Sequence, residues 1–281
     1  MNYIDLDPKL LIENPNILKE YEDAIPIGKM YNTVINPLTK KRFIRIIPDY
    51  IPKRNGVCVS AGIDSLYLET LHPHAFYSIS TIPGTVGGLI YQNASCAKCI
   101  SEYLCHVDIV MKECDYYKVF KNIDATHASS SNFVHKRVFK NDLKFGFRTS
   151  VFRKMHEDGI QCLIVYATFE IPNSIPKISD GQRAKYEKKI KIYNEVKHML
   201  KDYDPLGCKG CIYRDTYSVN VLPKDVERNN LYMSSYGRSF WIPSSAQQPT
   251  FDDWMKNIDE CRQIVKDKLG KEPDPEIEII T

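Results

Sequence analysis

Ile82-Pro-Gly-Thr-Val-Gly-Gly88 is the stretch on which the reading of this 281-residue chain turns. Gly84, Gly87 and Gly88 carry no Cβ, so the backbone there is free to take positive φ or to lie directly against another group. Successive amides of such a turn can point inward as an anion-binding nest, a shape that suits a pyrophosphate. Taken alone, the turn is equally readable as ordinary loop punctuation. It is not a Walker loop, because no Gly-Lys-Ser/Thr follows. Nor does it read as the GxGxxG that opens a helix in dinucleotide folds.

Outward from the turn, strands and helices occur in both halves of the chain, which predicts an α+β protein. Residues 8–22 read as short helical pieces broken at Pro15. Arg42-Phe-Ile-Arg-Ile-Ile47 and Gly56-Val-Cys-Val-Ser-Ala-Gly62 read as strands, as do residues 104–120 and 132–139. Cys162-Leu-Ile-Val-Tyr-Ala-Thr-Phe169 is a continuous apolar run, the pattern of a strand buried on both faces. Tyr186, Ile190, Tyr193, Val196 and Leu200 fall at helical spacing within residues 181–202, with lysines solvating the rest of that helix. Thr250 and Asp253 form a capping box ahead of the stripe Trp254, Ile258, Cys261, Val265 and Leu269. Gly270 stops that helix, and Glu276–Ile280 makes a last short strand.

Composition excludes several classes of function. Hydrophobic residues make up 43% and charged residues 26%, ordinary for a globular chain. A formal net charge of +3 is too small to argue for nucleic acid or a membrane surface as partner. No apolar run reaches the roughly 18 residues that cross a bilayer. The opening MNYIDLDPKLLIEN lacks the basic and apolar regions of a signal peptide, so the expectation is a cytoplasmic protein acting on a small molecule. Nine cysteines include two CxxC pairs, Cys96–Cys99 and Cys208–Cys211. A reducing compartment disfavours disulfides. The pairs are therefore read as unlinked thiols, with a zinc or iron–sulfur ligand set as the alternative.

Four matches in a fixed order carry a resemblance, the first of them the glycine turn together with the residues that follow it. The glycine turn is followed by Tyr91-Gln-Asn-Ala94. Then come Phe145-Gly-Phe-Arg-Thr-Ser-Val-Phe152, Gly210-Cys-Ile-Tyr-Arg214 and Asp274-Pro-Glu-Ile277. Together they resemble the IPGTVGG, MNAG, FGYRxSxF, GSxFKNP and EPEV segments of MurB-type reductases (UDP-N-acetylenolpyruvoylglucosamine reductase, or UDP-N-acetylmuramate dehydrogenase). The resemblance runs from about residue 28 to the end. It implies an FAD-binding domain of the MurB/vanillyl-alcohol-oxidase type, shortened at the N-terminus, in residues 1–170, and a smaller MurB-type substrate domain in residues 171–281.

By the same resemblance, the chain is an FAD-dependent oxidoreductase of peptidoglycan precursor synthesis. NADPH reduces the flavin, and flavin N5 delivers hydride to an enolpyruvyl ether or a similar conjugated acid. Gly28, Asn32, Ile82, Pro83, Gly84, Thr85, Val86, Gly87, Gly88 and Asn93 would hold FAD. Arg148 and Glu276 would hold and polarise the substrate carboxylate, the planar guanidinium matching it and the acid form of Glu276 donating a hydrogen bond. Cys211 stands where the family usually has a serine proton donor, and a thiol gives up a proton more readily than a hydroxyl.

The chain also departs from the family. Gly28-Lys-Met-Tyr-Asn32 aligns with the second phosphate-cradling loop but has Met30 in place of its second glycine. The short stretch ahead of it leaves no opening strand for the flavin domain. Asp215 replaces an asparagine. Only five residues follow Glu276, leaving little to shelter its carboxyl. Two alternatives follow: a catalytically inactive MurB-like binding or scaffold protein, and a metal-stabilised binding module using Cys96, Cys99, Cys208 and Cys211.

Overall fold

The computed structural model describes residues 2–29, 33–72, 74–96, 98–123, 132–175, 179–181, 183, 184, 187, 188, 191, 213, 226–234, 240–243 and 249–281. Two compact units emerge, neither of them continuous in sequence: residues 2–28 with 41–194, and residues 29–40 with 195–281. An early segment thus belongs with the C-terminal unit, so the division is not a single cut at 170/171.

The larger unit opens on a strand, β1 (Asn2–Leu6), where none was expected. Asp7 then caps α1 (Pro8–Glu13), its carboxylate accepting from the Lys9 amide, with Pro8 at a position that needs no amide donor. Pro15 ends that helix and begins a 3-10 turn reaching Tyr21. β2 (Ile25–Pro26) follows, β3 (Thr33–Ile35) belongs to the smaller unit, and β4 (Arg42–Ile46) returns to the larger one. β1, β4 and β2 form a parallel sheet in that order, with Asn2 to Leu6 in register with Arg42 to Ile46.

The rest of the larger unit is built on an antiparallel sheet. Its elements are β5 (Tyr50–Lys53), β6 (Gly56–Ser60), α2 (Ser65–Leu71), α3 (Val86–Tyr91), the hairpin β7 (Ser95–Cys96) and β8 (Lys98–Cys99), β9 (Leu104–Lys112), α4 (Glu113–Tyr116), β10 (Phe133–Phe139), α5 (Val151–Glu157) and β11 (Cys162–Glu170). The sheet order is β10-β9-β11-β6-β5. β11 lies at its centre, and every residue from Leu163 to Phe169 is buried, because α1, α3 and α5 pack against a strand already flanked by two others. The strand reading of 104–120 holds only to Lys112. Residues 113–121 are helical, α4 running into a π-helical turn that Asn122 ends in a left-handed conformation. The β-prone preference of this stretch is overridden by packing of Tyr116, Val119 and Phe120 onto the core.

The smaller unit has its own core around Val34, Tyr213, Leu231, Trp254 and Ile258. It contains the antiparallel β12 (Val226–Arg228), β13 (Leu231–Ser234) and β14 (Phe240–Pro243), the long α6 (Phe251–Leu269), and β15 (Glu278–Ile280) paired parallel with β3. The Thr250–Asp253 capping box is formed in both directions, and Gly270 ends α6 at φ 69°. Trp254, Ile258, Cys261 and Val265 are buried, and burial pushes the Cys261 thiol up to about 12, so it acts as a small hydrophobe. The stripe read at Tyr186, Ile190, Tyr193, Val196 and Leu200 lies outside the described residues. Among the described residues no helix is long and apolar enough to cross a membrane.

One polar cluster sits on the antiparallel sheet. Asp108 of β9 is buried and accepts from His135 Nε2 at 3.0 Å and from Arg137 Nε and Nη2 at 3.1 and 3.3 Å, both on β10. Burial pushes the Asp108 carboxyl up, but the bonds from His135 and Arg137 outweigh it and hold the carboxyl below its ordinary value. His106, two residues back on the same face, is pushed down by burial and then by the Arg137 charge; Asp108, Glu170 and Lys53 act on it more weakly. Both shifts have the same consequence. As pH falls through 6.5, the unfolded chain takes up a proton that folded His106 resists, and stability declines; Asp108 adds a second loss as pH falls below about 4. The urea midpoint is therefore expected to drop between pH 7 and 5, and His106→Gln to flatten that drop. Parallel curves for the two proteins would contradict this account.

Candidate functional site

The glycine turn is fastened to the segment that continues β6. Val86 N donates to Ile63 O at 2.8 Å, Gly87 N to Ala61 O at 2.9 Å, and Ser65 N to Gly84 O at 2.9 Å. Ser65 Oγ adds a bond to Ile82 O at 2.6 Å. The turn opens a short helix, α3, with Thr85 as its N-cap. Only Gly84 of the three glycines has positive φ, at 145°. Gly87 serves a different need: a Cβ there would stand 2.9 Å from the Ala61 Cβ, so its absence lets α3 close onto the end of β6. A Cβ on Gly88 would meet nothing closer than 3.7 Å.

The two segments read as phosphate loops meet in space. A Cβ on Gly28 would lie 2.6 Å from Thr85 Oγ1, so the chain at Gly28 runs against the glycine turn with no room for a side chain. Among the described residues, the amides of Gly84 and Thr85 carry no backbone hydrogen bond, whereas those of Val86 and Gly87 are taken by carbonyls. The turn thus keeps two amides out of the backbone hydrogen bonding, beside a glycine, Gly28, whose Cβ would meet Thr85. These features fit a bound pyrophosphate. Asn32 lies outside the described residues.

Directly after α3, the chain meets the segment read as the catalytic corner. Gly146 and Thr149 exchange backbone hydrogen bonds at 3.1 and 3.5 Å, leaving Phe147 and Arg148 at the tip of a tight turn. Phe147 is exposed, but Arg148 turns inward and is only 8% exposed. Its φ of 52° is left-handed, at a turn position where Gly or Asn is the usual occupant. Arg148 Nη2 donates to Ser95 O at 3.2 Å, Asn93 Nδ2 to Gly146 O at 2.8 Å, and Ser150 Oγ to Tyr91 O at 2.6 Å. Asn93, itself at φ 45°, has its amide nitrogen committed to the turn; its Oδ1 is buried and accepts no hydrogen bond among the described residues.

Glu276 belongs to the smaller unit. It is 4% exposed, which corrects the expectation that so short a C-terminal stretch would leave its carboxyl unsheltered. Two anchors place it. Tyr213 bridges Pro275 on one side, with its hydroxyl donating to Ile258 O at 3.0 Å, and β15 begins on the other. Cys211 and Asp215, with Cys208, lie outside the described residues. The β7–β8 hairpin pairs Ser95 with Cys99 and Cys96 with Lys98. Among the described residues no group of His, Cys, Asp and Glu side chains is arranged to hold a metal ion. Sequence reasoning missed Ser150, whose signal was its place in the Phe145–Phe152 motif two residues beyond Arg148. It also missed Asp108, His135 and Arg137, whose signal was their two-residue alternation along β9 and β10.

A parallel sheet, a five-stranded antiparallel sheet and a separate α+β unit with a long capped helix make up a MurB-like fold. The structure is similar to that of UDP-N-acetylenolpyruvylglucosamine reductase (MurB) from Thermus caldophilus, with a TM-score of 0.54 and 15% sequence identity over 92% of this chain and 86% of that one. At that identity the likeness is one of fold, and fold does not assign chemistry. No family model matches the chain, and no curated protein matches it.

Because Gly87 is helical rather than left-handed, Gly87→Ala tests close approach rather than backbone strain. It is expected to cost about 1–3 kcal/mol in urea unfolding, as overpacked sites do. A change within about 0.5 kcal/mol, the range of neutral surface substitutions, would show that α3 does not depend on that contact.

Proposed function

We propose that this protein is an FAD-dependent reductase resembling UDP-N-acetylmuramate dehydrogenase, which uses NADPH to reduce an enolpyruvyl or similar conjugated acid. The larger unit would hold FAD. The observation that carries the reading is Arg148: a guanidinium buried at 8% exposure, on a left-handed backbone, in a turn fastened to the residues that follow a phosphate-type cradle. A buried arginine in a strained conformation is costly and is kept where its aim matters.

Gly28, Ile82, Pro83, Gly84, Thr85, Val86, Gly87 and Gly88 would form the cradle for FAD, with Asn93 toward the Arg148 turn; the resemblance assigns Asn32 to the same cofactor. When bound, FAD supplies hydride chemistry. Arg148 would pair with the substrate carboxylate through its planar fork and stabilise the charge that develops on it. By the resemblance alone, Glu276 in its acid form would donate a hydrogen bond to a substrate carboxylate. Cys211 would protonate the carbon next to the carboxylate. Tyr213, two residues beyond Cys211 in sequence, bridges the residue before Glu276, and this supports a role for the two segments together.

A second reading, a MurB-like binding or scaffold protein without turnover, is favoured by one observation: the Val86 and Gly87 amides are already committed to Ile63 and Ala61. The absorption spectrum of the purified protein separates the two. The reductase reading expects a yellow protein, or one that takes up added FAD, and that oxidises NADPH when given UDP-N-acetylenolpyruvoylglucosamine. Arg148→Ala is expected to lower kcat/KM by about 100- to 1,000-fold, the scale for removing one charge-stabilising donor. A colourless protein that refuses FAD would sink the reductase and leave the scaffold.

A further inference from the structure

We infer that Ser150 and Asn93 are positioning residues for Arg148, clamping its turn onto the segment 91–95. The inference rests on the reading of Arg148 as the ligand of the substrate carboxylate. Three alternate residues of one short run each hold one residue of the turn. The Tyr91 carbonyl accepts from Ser150, the Asn93 side chain donates to Gly146, and the Ser95 carbonyl accepts from Arg148 itself.

The clamp comes at a local cost, which argues that it is specific. Ser150 occupies the N-cap position of α5, where a serine hydroxyl ordinarily accepts from the first free amides of the helix. Here the helix has no side-chain cap bond, and the hydroxyl reaches Tyr91 O, 59 residues away in sequence. Asn93 keeps a left-handed backbone and leaves its Oδ1 buried without a partner among the described residues. Arg148 at φ 52° is a conformation that L-residues with a Cβ avoid. Gly146 and Thr149 close the turn with bonds of 3.1 and 3.5 Å, the second at the long limit for a hydrogen bond. Side-chain ties to a neighbouring segment are what hold such a turn against relaxation. With the ties released, the guanidinium loses its aim although nothing it touches directly has been changed.

The test uses the whole protein and two variants, Ser150→Ala and Asn93→Gly, the glycine retaining access to the φ that Asn93 adopts. The first readout is amide hydrogen exchange of the peptide covering residues 145–150, which needs no flavin. Both variants are expected to exchange there about tenfold faster than the parent, the scale of one lost hydrogen bond, with the urea midpoint little changed. The second readout is the Kd of UDP-N-acetylenolpyruvoylglucosamine, followed by perturbation of the flavin spectrum in a double-mutant cycle. Ser150→Ala is expected to weaken binding about tenfold when Arg148 is present and to have no effect in the Arg148→Ala background. Equal losses in both backgrounds would mark Ser150 as merely structural and overturn the inference. A colourless protein whose variant turns exchange faster removes the reductase and keeps the clamp. A yellow protein whose variant turns exchange at the parent rate removes the clamp alone.

Discussion

Ala61 is the hinge of the larger unit. Its amide donates to Val165 O on the central strand at 2.8 Å, and its carbonyl accepts from Gly87 at 2.9 Å, so one residue ties the sheet to the glycine turn. Gly62, next to it, runs so close to β4 that a Cβ would stand 1.7 Å from Ile46 O. Three backbones therefore meet where neither Gly62 nor Gly87 has room for a side chain. The parallel sheet, the antiparallel sheet and the cradle share this contact, and each is held in place because the others crowd it.

From that contact the site is laid down in sequence order. α3 closes onto the end of β6, and the residues that leave α3 receive the turn of Arg148. The hydrogen bonds involved are mostly between side chain and backbone, which allows a short irregular segment to be held as firmly as a strand edge. Rigid support of this kind is what the proposed role of Arg148 would require, since a guanidinium that wanders gives up both its bidentate geometry and its electrostatic advantage.

The Asp108 cluster shows the other way the larger unit handles buried charge. Its carboxylate is paired twice over, by an arginine and a histidine from the adjacent strand, and the pairing outweighs the desolvation. Arg148 is placed differently: one of its guanidinium nitrogens donates to a backbone carbonyl, that of Ser95, at 3.2 Å.

Local pattern alone determined the elements that depend on neighbours in sequence. The buried strand of residues 162–170, the capped helix from Thr250 to Gly270 and the breaks at Pro15 all follow from periodicity, capping chemistry and ring sterics within a few residues. The fourfold motif order pointed to the fold type before any coordinate. Tertiary structure decided the rest. Residues 113–121 became helical because packing overrode a β-prone composition, and the opening segment became a strand because β4 lay beside it to receive it. Gly87 proved to serve helix–strand contact rather than positive φ, and Glu276 proved to be buried, next to a residue that Tyr213 bridges from a distant part of the sequence. Burial and close approach are properties of residues distant in the chain, so no reading of adjacent residues contains them.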